Sequence, residues 1–590
     1  MTGHSKLLPS SRDLATEHRP VSDESALREG FANSDVSVQT TFEIALGHQR
    51  SGRLAEAEAF CQQVRHVRDV DAGLLNQLGS HAFGSGWNEA AVALLSRATE
   101  IAPNLAEAHN QLGVALASMG RLDEAVEALG EAVRLRPGYA EAFNNLGIAF
   151  RTQGRLDDAL AAYKRAVQLR PDCVDALNDM GNLLEKLGRS DDAVAAFRKA
   201  ILLKRDDADL YNNLGIALGG KGLTEEALDA YNQAIALNPH HADANHNLAN
   251  ALGQLGLLDE AQDACRRALD INPQDAQARH ASATLHLLAG ELGRGWPLYE
   301  ERWNILEFTS PRREFPQPMW DGSPLEGRRL LVHCEQGFGD SIQFVRYIPL
   351  AAGCGGPVML ECPRTLLDVF SSVKGAGTLV AAGAPLPPFD THIPLMSLPL
   401  VFRTTLESIP HDVPYLSADA ARCQFWREWL GDGSSRLKVG LAWAGRTDTV
   451  QRSRRAIRLH QLLPLFRVQE VDLVSLQMDD RAAEIWQLPG RQRILDPIEH
   501  IADFADTAAL VSQLDLVISI DSAVAHLAGA LGKPAWVLLP FTPDWRWMLG
   551  RTDSPWYPTM RLFRQQRAGE WDAVVVEIRK ELQRLAEGRG

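Results

Sequence analysis

Three short stretches of this chain carry residues that could act on a ligand. The first is Glu335-Gln336-Gly337-Phe338-Gly339-Asp340-Ser341, where two glycines stand beside a carboxylate. Gly337 and Gly339 allow a backbone to approach a ligand closely. Asp340 opens the next helix, where an aspartate is also a favoured cap. The second is Ser519-Ile520-Asp521-Ser522-Ala523-Val524-Ala525-His526, an apolar run entering a helix whose first turn is small. Free amides at such a helix start suit an anion, a diphosphate above all. His526 follows Ser522 by one turn and shares its face; a capped helix with a core histidine is the competing reading. The third follows Trp443-Ala444-Gly445 and holds Arg446, Arg452, Arg454, Arg455 and Arg458. It reads either as a phosphate clamp or as a solvated basic loop.

These stretches need strands to hold them. From Arg328 onward short apolar runs alternate with helical ones. Strands are expected at 329–334, 358–362, 378–382, 391–394, 438–443, 471–476, 516–520 and 535–539, with helices at 341–352, 365–373, 420–431 and 571–585. Such alternation implies parallel sheets covered by helices. Two series of this kind fit two Rossmann-like domains, with ligands at the carboxyl ends of the strands.

The first half follows another rule. Gly86, Gly120, Gly154, Gly188, Gly222 and Gly256 recur every 34 residues, and Gly52 and Gly290 extend the ladder. Alanines keep the same period at Ala57, Ala91, Ala125, Ala159, Ala193, Ala227 and Ala261, and proline closes most blocks. Small residues let two helices approach, glycine ends the first helix and proline ends the second. A 34-residue period with these residue types resembles tetratricopeptide repeats. Seven blocks begin at residue 38, and a degenerate eighth over 276–303 reads as a cap. Asn110, Asn144, Asn145, Asn178, Asn212, Asn213 and Asn247 recur on the first helices. They would either grip an extended acceptor peptide or hydrogen-bond between neighbouring repeats.

The chain has 590 residues, 45% hydrophobic and 23% charged, with a formal net charge of −15. That length implies several domains, and that charge argues against a general nucleic-acid binder. Seven scattered cysteines form no Cys-x-x-Cys pair, which fits a reducing compartment. No apolar run is long enough for a membrane span, and the stretch from Met1 to Gln39 is polar and lacks an apolar signal core. A cytoplasmic protein is the expectation.

The tracts Gly339-Asp340-Ser341-Ile342, Asp521-Ser522-Ala523-x-x-His526-Leu527-Ala528 and Gly532-Lys533-Pro534 resemble the heptosyltransferase type of GT-B glycosyltransferase (glycosyltransferase family 9). The whole second half resembles the bacterial tetratricopeptide-repeat proteins that end in such a domain. Shared tracts there include Leu386-Pro387-Pro388-Phe389-Asp390 and Pro543-Asp544-Trp545-Arg546-Trp547. The resemblance implies a multidomain chain, an all-α tetratricopeptide-repeat superhelix followed by an α/β GT-B fold. Its expected parts are a poorly ordered segment (1–37), repeats (38–303), a linker (304–327), a first Rossmann-like domain (328–419) and a second, nucleotide-sugar-binding one (420–590). It implies inverting sugar transfer from a nucleotide-diphosphate donor to a hydroxyl, without a cofactor, and the lack of any Asp-x-Asp pair after residue 303 favours a metal-independent reaction. Asp340 would be the general base. Gly337, Gly339, Arg446, Asp521, Ser522, Ala523 and His526 would hold the donor. The family's Thr-Gly is Ser522-Ala523 here, which narrows backbone approach. Trp545 and Trp547 could stack on sugar or base, although alternating aromatics more often serve packing, and the last helix would cross back to the first Rossmann-like domain. A non-catalytic interaction scaffold that kept the transferase fold is the alternative.

Overall fold

The computed structural model describes residues 71–588 apart from 306, 307, 309, 432–434, 446–454 and 490–493. The first repeat block and Gly52 therefore lie outside the described residues. The chain divides into two compact units, one ending at Asn238 and one beginning at Pro239.

The described part of the first unit is a series of helical hairpins. They are α1 (Ala72–Gly84) with α2 (Asn88–Ile101), α3 (Ala106–Ser118) with α4 (Leu122–Leu135), α5 (Ala140–Thr152) with α6 (Leu156–Leu169), α7 (Val174–Lys186) with α8 (Ser190–Leu203), and α9 (Ala208–Gly220) with α10 (Thr224–Leu237). The periodic glycines end the first helix of each pair. Gly154 lies at φ 80°, its N–H bonds the Arg151 carbonyl at 3.0 Å, and the Arg155 N–H returns to Phe150 at 2.9 Å. This is the left-handed helix end that a side chain resists. Acidic residues stand in the first turn of each second helix, as at Asp157 and Asp158, where the helix dipole favours them. The recurrent alanines Ala91, Ala125, Ala159, Ala193 and Ala227 are fully buried.

A second set of glycines also sets the helix spacing. A Cβ on Gly147 would lie 2.5 Å from Tyr163 Cε1, and one on Gly181 would lie 2.6 Å from Phe197 Cε1. The first helix of a hairpin thus offers a notch that a large side chain of the second fills. Each such ring, Tyr163 among them, is buried, which stabilises the hairpin by roughly 1.5–3 kcal/mol.

The second unit starts with two more hairpins, α11 (Ala242–Gln254) with α12 (Leu258–Ile271) and α13 (Ala276–Leu288) with the short α14 (Leu292–Tyr299). A 3-10 turn (Glu300–Asn304) follows. Then come β1 (Leu330–His333), α15 (Phe338–Phe344), α16 (Ile348–Ala352), β2 (Val358–Cys362), α17 (Leu367–Phe370), β3 (Ala376–Ala381), β4 (Thr391–Pro394) and α18 (Leu398–Val401). After α19 (Ala420–Trp429) a second series holds β5 (Leu437–Ala442), β6 (Val471–Ser475), β7 (Ile494–Leu495), α20 (Phe504–Ser512), β8 (Leu516–Ile520), α21 (Ala523–Ala530), β9 (Ala535–Leu539), β10 (Met560–Arg564) and α22 (Trp571–Glu587).

The strands make two parallel sheets, of order β3-β2-β1-β4 and β10-β9-β8-β5-β6-β7. β8 is buried along its whole length, as a strand covered on both faces must be. Eight strands fall within two residues of the expected positions; β7 and β10 were not expected. The helix expected over 341–352 is broken into α15, a 3-10 turn and α16. Pro349 has no N–H to continue the ladder.

The last helix does not cross to the four-stranded sheet. Its apolar stripe, Trp571, Val574, Val575, Ile578 and Leu582, packs with Leu459, Leu462 and the β5 residues Val439 and Leu441. The final hairpin packs into the α/β region of its own unit. Trp296 of α14 meets Phe344 and Trp545 edge-on, at 6.3 and 5.4 Å between centroids. Its Nε1 donates to the Thr404 carbonyl at 3.1 Å. Thr542 Oγ1 donates to the Gln254 carbonyl at 2.6 Å.

Candidate functional site

The loop after β1 turns sharply into α15. Gln336 sits at φ 63°, a left-handed value that a non-glycine residue adopts only when its surroundings enforce it. Its N–H donates to Ser310 Oγ at 2.8 Å and its Nε2 to Tyr299 OH at 3.2 Å. Gly337 is the N-cap of α15, and Asp340, three residues on, accepts the Gly337 N–H at 2.9 Å. Gly339 is needed for packing rather than for an open approach. A Cβ there would lie 2.9 Å from His526 Cδ2 and 3.6 Å from Ala523 Cα. Two of the three stretches singled out in the sequence are thereby pressed together, α15 against α21. Phe338 remains 42% exposed beside Asp340, its ring 5.1 Å from that of Phe504.

A chain of charges runs through the same place. Asp340 Oδ1 pairs with Arg546 Nη2, and Arg546 Nη1 reaches Asp544 Oδ1 at 2.7 Å. Asp544 Oδ2 accepts from Arg455 at 3.2 Å, and Arg455 donates to Asp521 at 2.9 Å. The members come from the first turn of α15 that follows β1 and from the loops after β8 and β9, at strand ends in both parallel sheets, and from the arginine-rich stretch after β5. Apolar strands can end together in this way only because each sheet is parallel.

Burial decides the protonation pattern. Asp521 is raised above the usual carboxylate range, because desolvation outweighs the attraction of Arg455. Asp544 suffers the same desolvation, but Arg546 and Arg455 overcome it and hold it low. His526 is pushed down to about 3 by burial, with Arg546 adding to the effect. It is therefore a neutral ring at physiological pH, stacked 5.4 Å from Trp547, with Nδ1 3.0 Å from Tyr557 OH. Glu335 is raised to about 7 by burial in spite of its pairing with Arg302. One of its oxygens accepts from Arg302 at 2.9 Å, and the other has no hydrogen-bond partner.

Of the expected donor residues, Gly337, Gly339, Asp521, Ser522, Ala523 and His526 converge with Asp340 at this point. Arg446, with Arg452 and Arg454, lies outside the described residues. Ser522 is the N-cap of α21, and its side chain makes no capping bond; its hydroxyl lies 2.9 Å from Ser519 Oγ. The helix start is thus not closed by its own cap. Trp545 and Trp547 are buried and serve packing, because the neighbouring rings Trp296, Tyr299 and His526 occupy their faces and edges. The residues missed in the sequence are Asp544 and Arg546, hidden in an aromatic tract, and the Arg302–Glu335 pair. An acid and a base two apart among tryptophans was the available signal for the first pair; the second needs the fold.

Five of the asparagines, Asn110, Asn144, Asn145, Asn178 and Asn213, bond from repeat to repeat. Asn145 Nδ2 donates to Asn110 Oδ1 at 2.9 Å, Asn213 Nδ2 to Asn178 Oδ1 at 3.0 Å, and Asn144 Nδ2 to Asp179 Oδ2 at 3.2 Å. Asn212 is buried, while Asn145, Asn178, Asn213 and, in the second unit, Asn247 are partly exposed. Among the described residues no helix is long and apolar enough to cross a membrane.

Comparison with known proteins bears on the repeats. A tetratricopeptide-repeat family model matches residues 110–173 and 212–276, and a second matches 150–214. These residues are tetratricopeptide repeats, a module of protein interaction. FlbA of Caulobacter vibrioides is 31% identical over 338 residues, which cover 52% of this chain and 55% of FlbA. The chain thus spans about half the length of this curated relative. Among solved structures, YrrB, described as a tetratricopeptide-repeat protein with an unusual peptide-binding site, is 23% identical with a TM-score of 0.29 over 32% of this chain and 96% of its own. PilF of Pseudomonas aeruginosa is 20% identical with a TM-score of 0.33 over 36% of this chain and 96% of its own.

Proposed function

We propose that the α/β region is a glycosyltransferase of the GT-B, heptosyltransferase-like kind, and that the repeats recruit the acceptor, a protein or a glycan. The observation that carries this reading is the convergence of Asp340 with the Asp521–His526 helix start, at the strand ends of two parallel sheets. Asp340 takes the proton of the acceptor hydroxyl. That oxygen then bonds to the anomeric carbon, and the carbon–oxygen bond to the diphosphate breaks. The nucleoside diphosphate leaves with the electron pair. The amides at the start of α21, Ser522 and Arg446 hold the departing phosphates. The step needs no metal or cofactor, and inverts the anomeric centre.

A thermal-shift panel of nucleotide sugars tests the reading. A donor at 100 times its dissociation constant adds roughly 2.7 kcal/mol of stability, so one member of the panel should raise the melting temperature. Asp340→Asn should abolish transfer. A flat response across the panel would favour a scaffold without activity.

A further inference from the structure

Asp340 is not idle in this structure. Both carboxylate oxygens are engaged, Oδ2 by the Gly337 N–H and Oδ1 by Arg546. A carboxylate oxygen that accepts a charge-assisted hydrogen bond from a guanidinium is turned toward that partner and not toward an acceptor hydroxyl. Arg546 is held firmly elsewhere. Its Nε donates to Gln343 Oε1 at 2.8 Å, its Nη1 to Asp544 at 2.7 Å, and its guanidinium lies 4.2 Å from the centre of the Trp545 ring. Only the Nη2 arm is committed to Asp340. Along the chain of charges, the two guanidiniums of Arg455 and Arg546 serve the three carboxylates of Asp340, Asp521 and Asp544. Phosphate oxygens are strong competitors for such an arm, since guanidinium–phosphate pairs are charge-assisted and geometrically matched.

We propose that Arg546 is a latch. It holds Asp340 in an ion pair and exchanges it for a phosphate oxygen of the donor, so that Asp340 becomes a free base only once the donor is in place. This rests on the sugar-transfer reading and adds an order to it, donor before acceptor. Asp544 and Gln343 keep the guanidinium fixed during the exchange, and Asp340 keeps its Gly337 hydrogen bond. Arg546 acts here as a positioning residue for Asp340 and as a ligand of the diphosphate.

The consequence runs against ordinary expectation for a residue in a binding site. If Asp340 competes with the diphosphate for one guanidinium arm, removing its charge tightens diphosphate binding. The test is calorimetric titration of the full chain with UDP, GDP, ADP, CDP and inorganic pyrophosphate. Asp340→Asn keeps an oxygen for the Gly337 N–H, and Asp340→Ser replaces it should the amide variant fail to fold. The expected result is about tenfold tighter binding of the preferred diphosphate by Asp340→Asn, and at least tenfold weaker binding by Arg546→Lys, which keeps the charge and loses the fork. Equal or weaker binding by a folded Asp340 variant, with binding by the unaltered protein intact, overturns the latch and leaves the sugar-transfer reading standing. Absence of binding by the unaltered protein and the variants overturns both.

Discussion

At the scale of the residue, the site is governed by how many partners each buried charge has. Glu335 shares Arg302 with Glu300 and leaves one oxygen unmatched, so burial wins and the carboxyl is raised to about 7. Its folded-state affinity for a proton exceeds that of the unfolded chain, whose value is near 4.5. The stability it contributes is therefore present at low pH and lost as pH rises through about 7. The loss is on the order of 3 kcal/mol between pH 5 and pH 8. Urea denaturation followed by tryptophan fluorescence reports mainly on the second unit, where most of the tryptophans lie. The pH-dependent loss should be much smaller in Glu335→Gln; the same slope in both proteins would show that Glu335 is ionised throughout.

At the scale of the element, two kinds of glycine separate cleanly. Gly154 turns a helix end at φ 80° with nothing within 4 Å of a hypothetical Cβ, whereas Gly147 is a notch filled by Tyr163. Gly154→Ala costs backbone strain alone, about 1 kcal/mol. Gly147→Ala forces the Tyr163 ring out of place, and overpacking of this kind costs roughly 1–3 kcal/mol. A compensating Tyr163→Leu change should restore part of the Gly147→Ala loss and none of the Gly154→Ala loss. Thermal unfolding of the four variants decides it, and equal rescue of both would refute the distinction. The period of 34 made the first glycine legible in the sequence. The second was passed over because its meaning lies in the ring it faces sixteen residues later.

At the scale of the whole molecule, the last hairpins belong to the same compact unit as the two sheets, and the division falls between Asn238 and Pro239. A repeat count alone would cut the chain after residue 303. Such a cut removes Trp296, Tyr299 and Arg302, all buried. Loss of a buried tryptophan alone costs about 3–5 kcal/mol. A chain of 239–590 should be soluble and unfold cooperatively, whereas one of 304–590 should aggregate or melt far lower. Comparable melting temperatures for the two would contradict the packing described for α14.

By itself the sequence determined the repeats, their helix ends and eight of the strands. Each of these is set by local chemistry: a residue that can take positive φ, one that lacks an N–H, or an apolar run of strand length. It also picked out Asp340 and Asp521–His526 as neighbours of strand ends. The tertiary structure alone decided that Asp340 faces Arg546, that His526 is a buried neutral ring, and that Trp545 and Trp547 pack rather than wait for a ligand. The first of these outcomes joins residues about two hundred positions apart. Burial and charge pairing across such a distance are set by the meeting of two sheets, which no local pattern encodes.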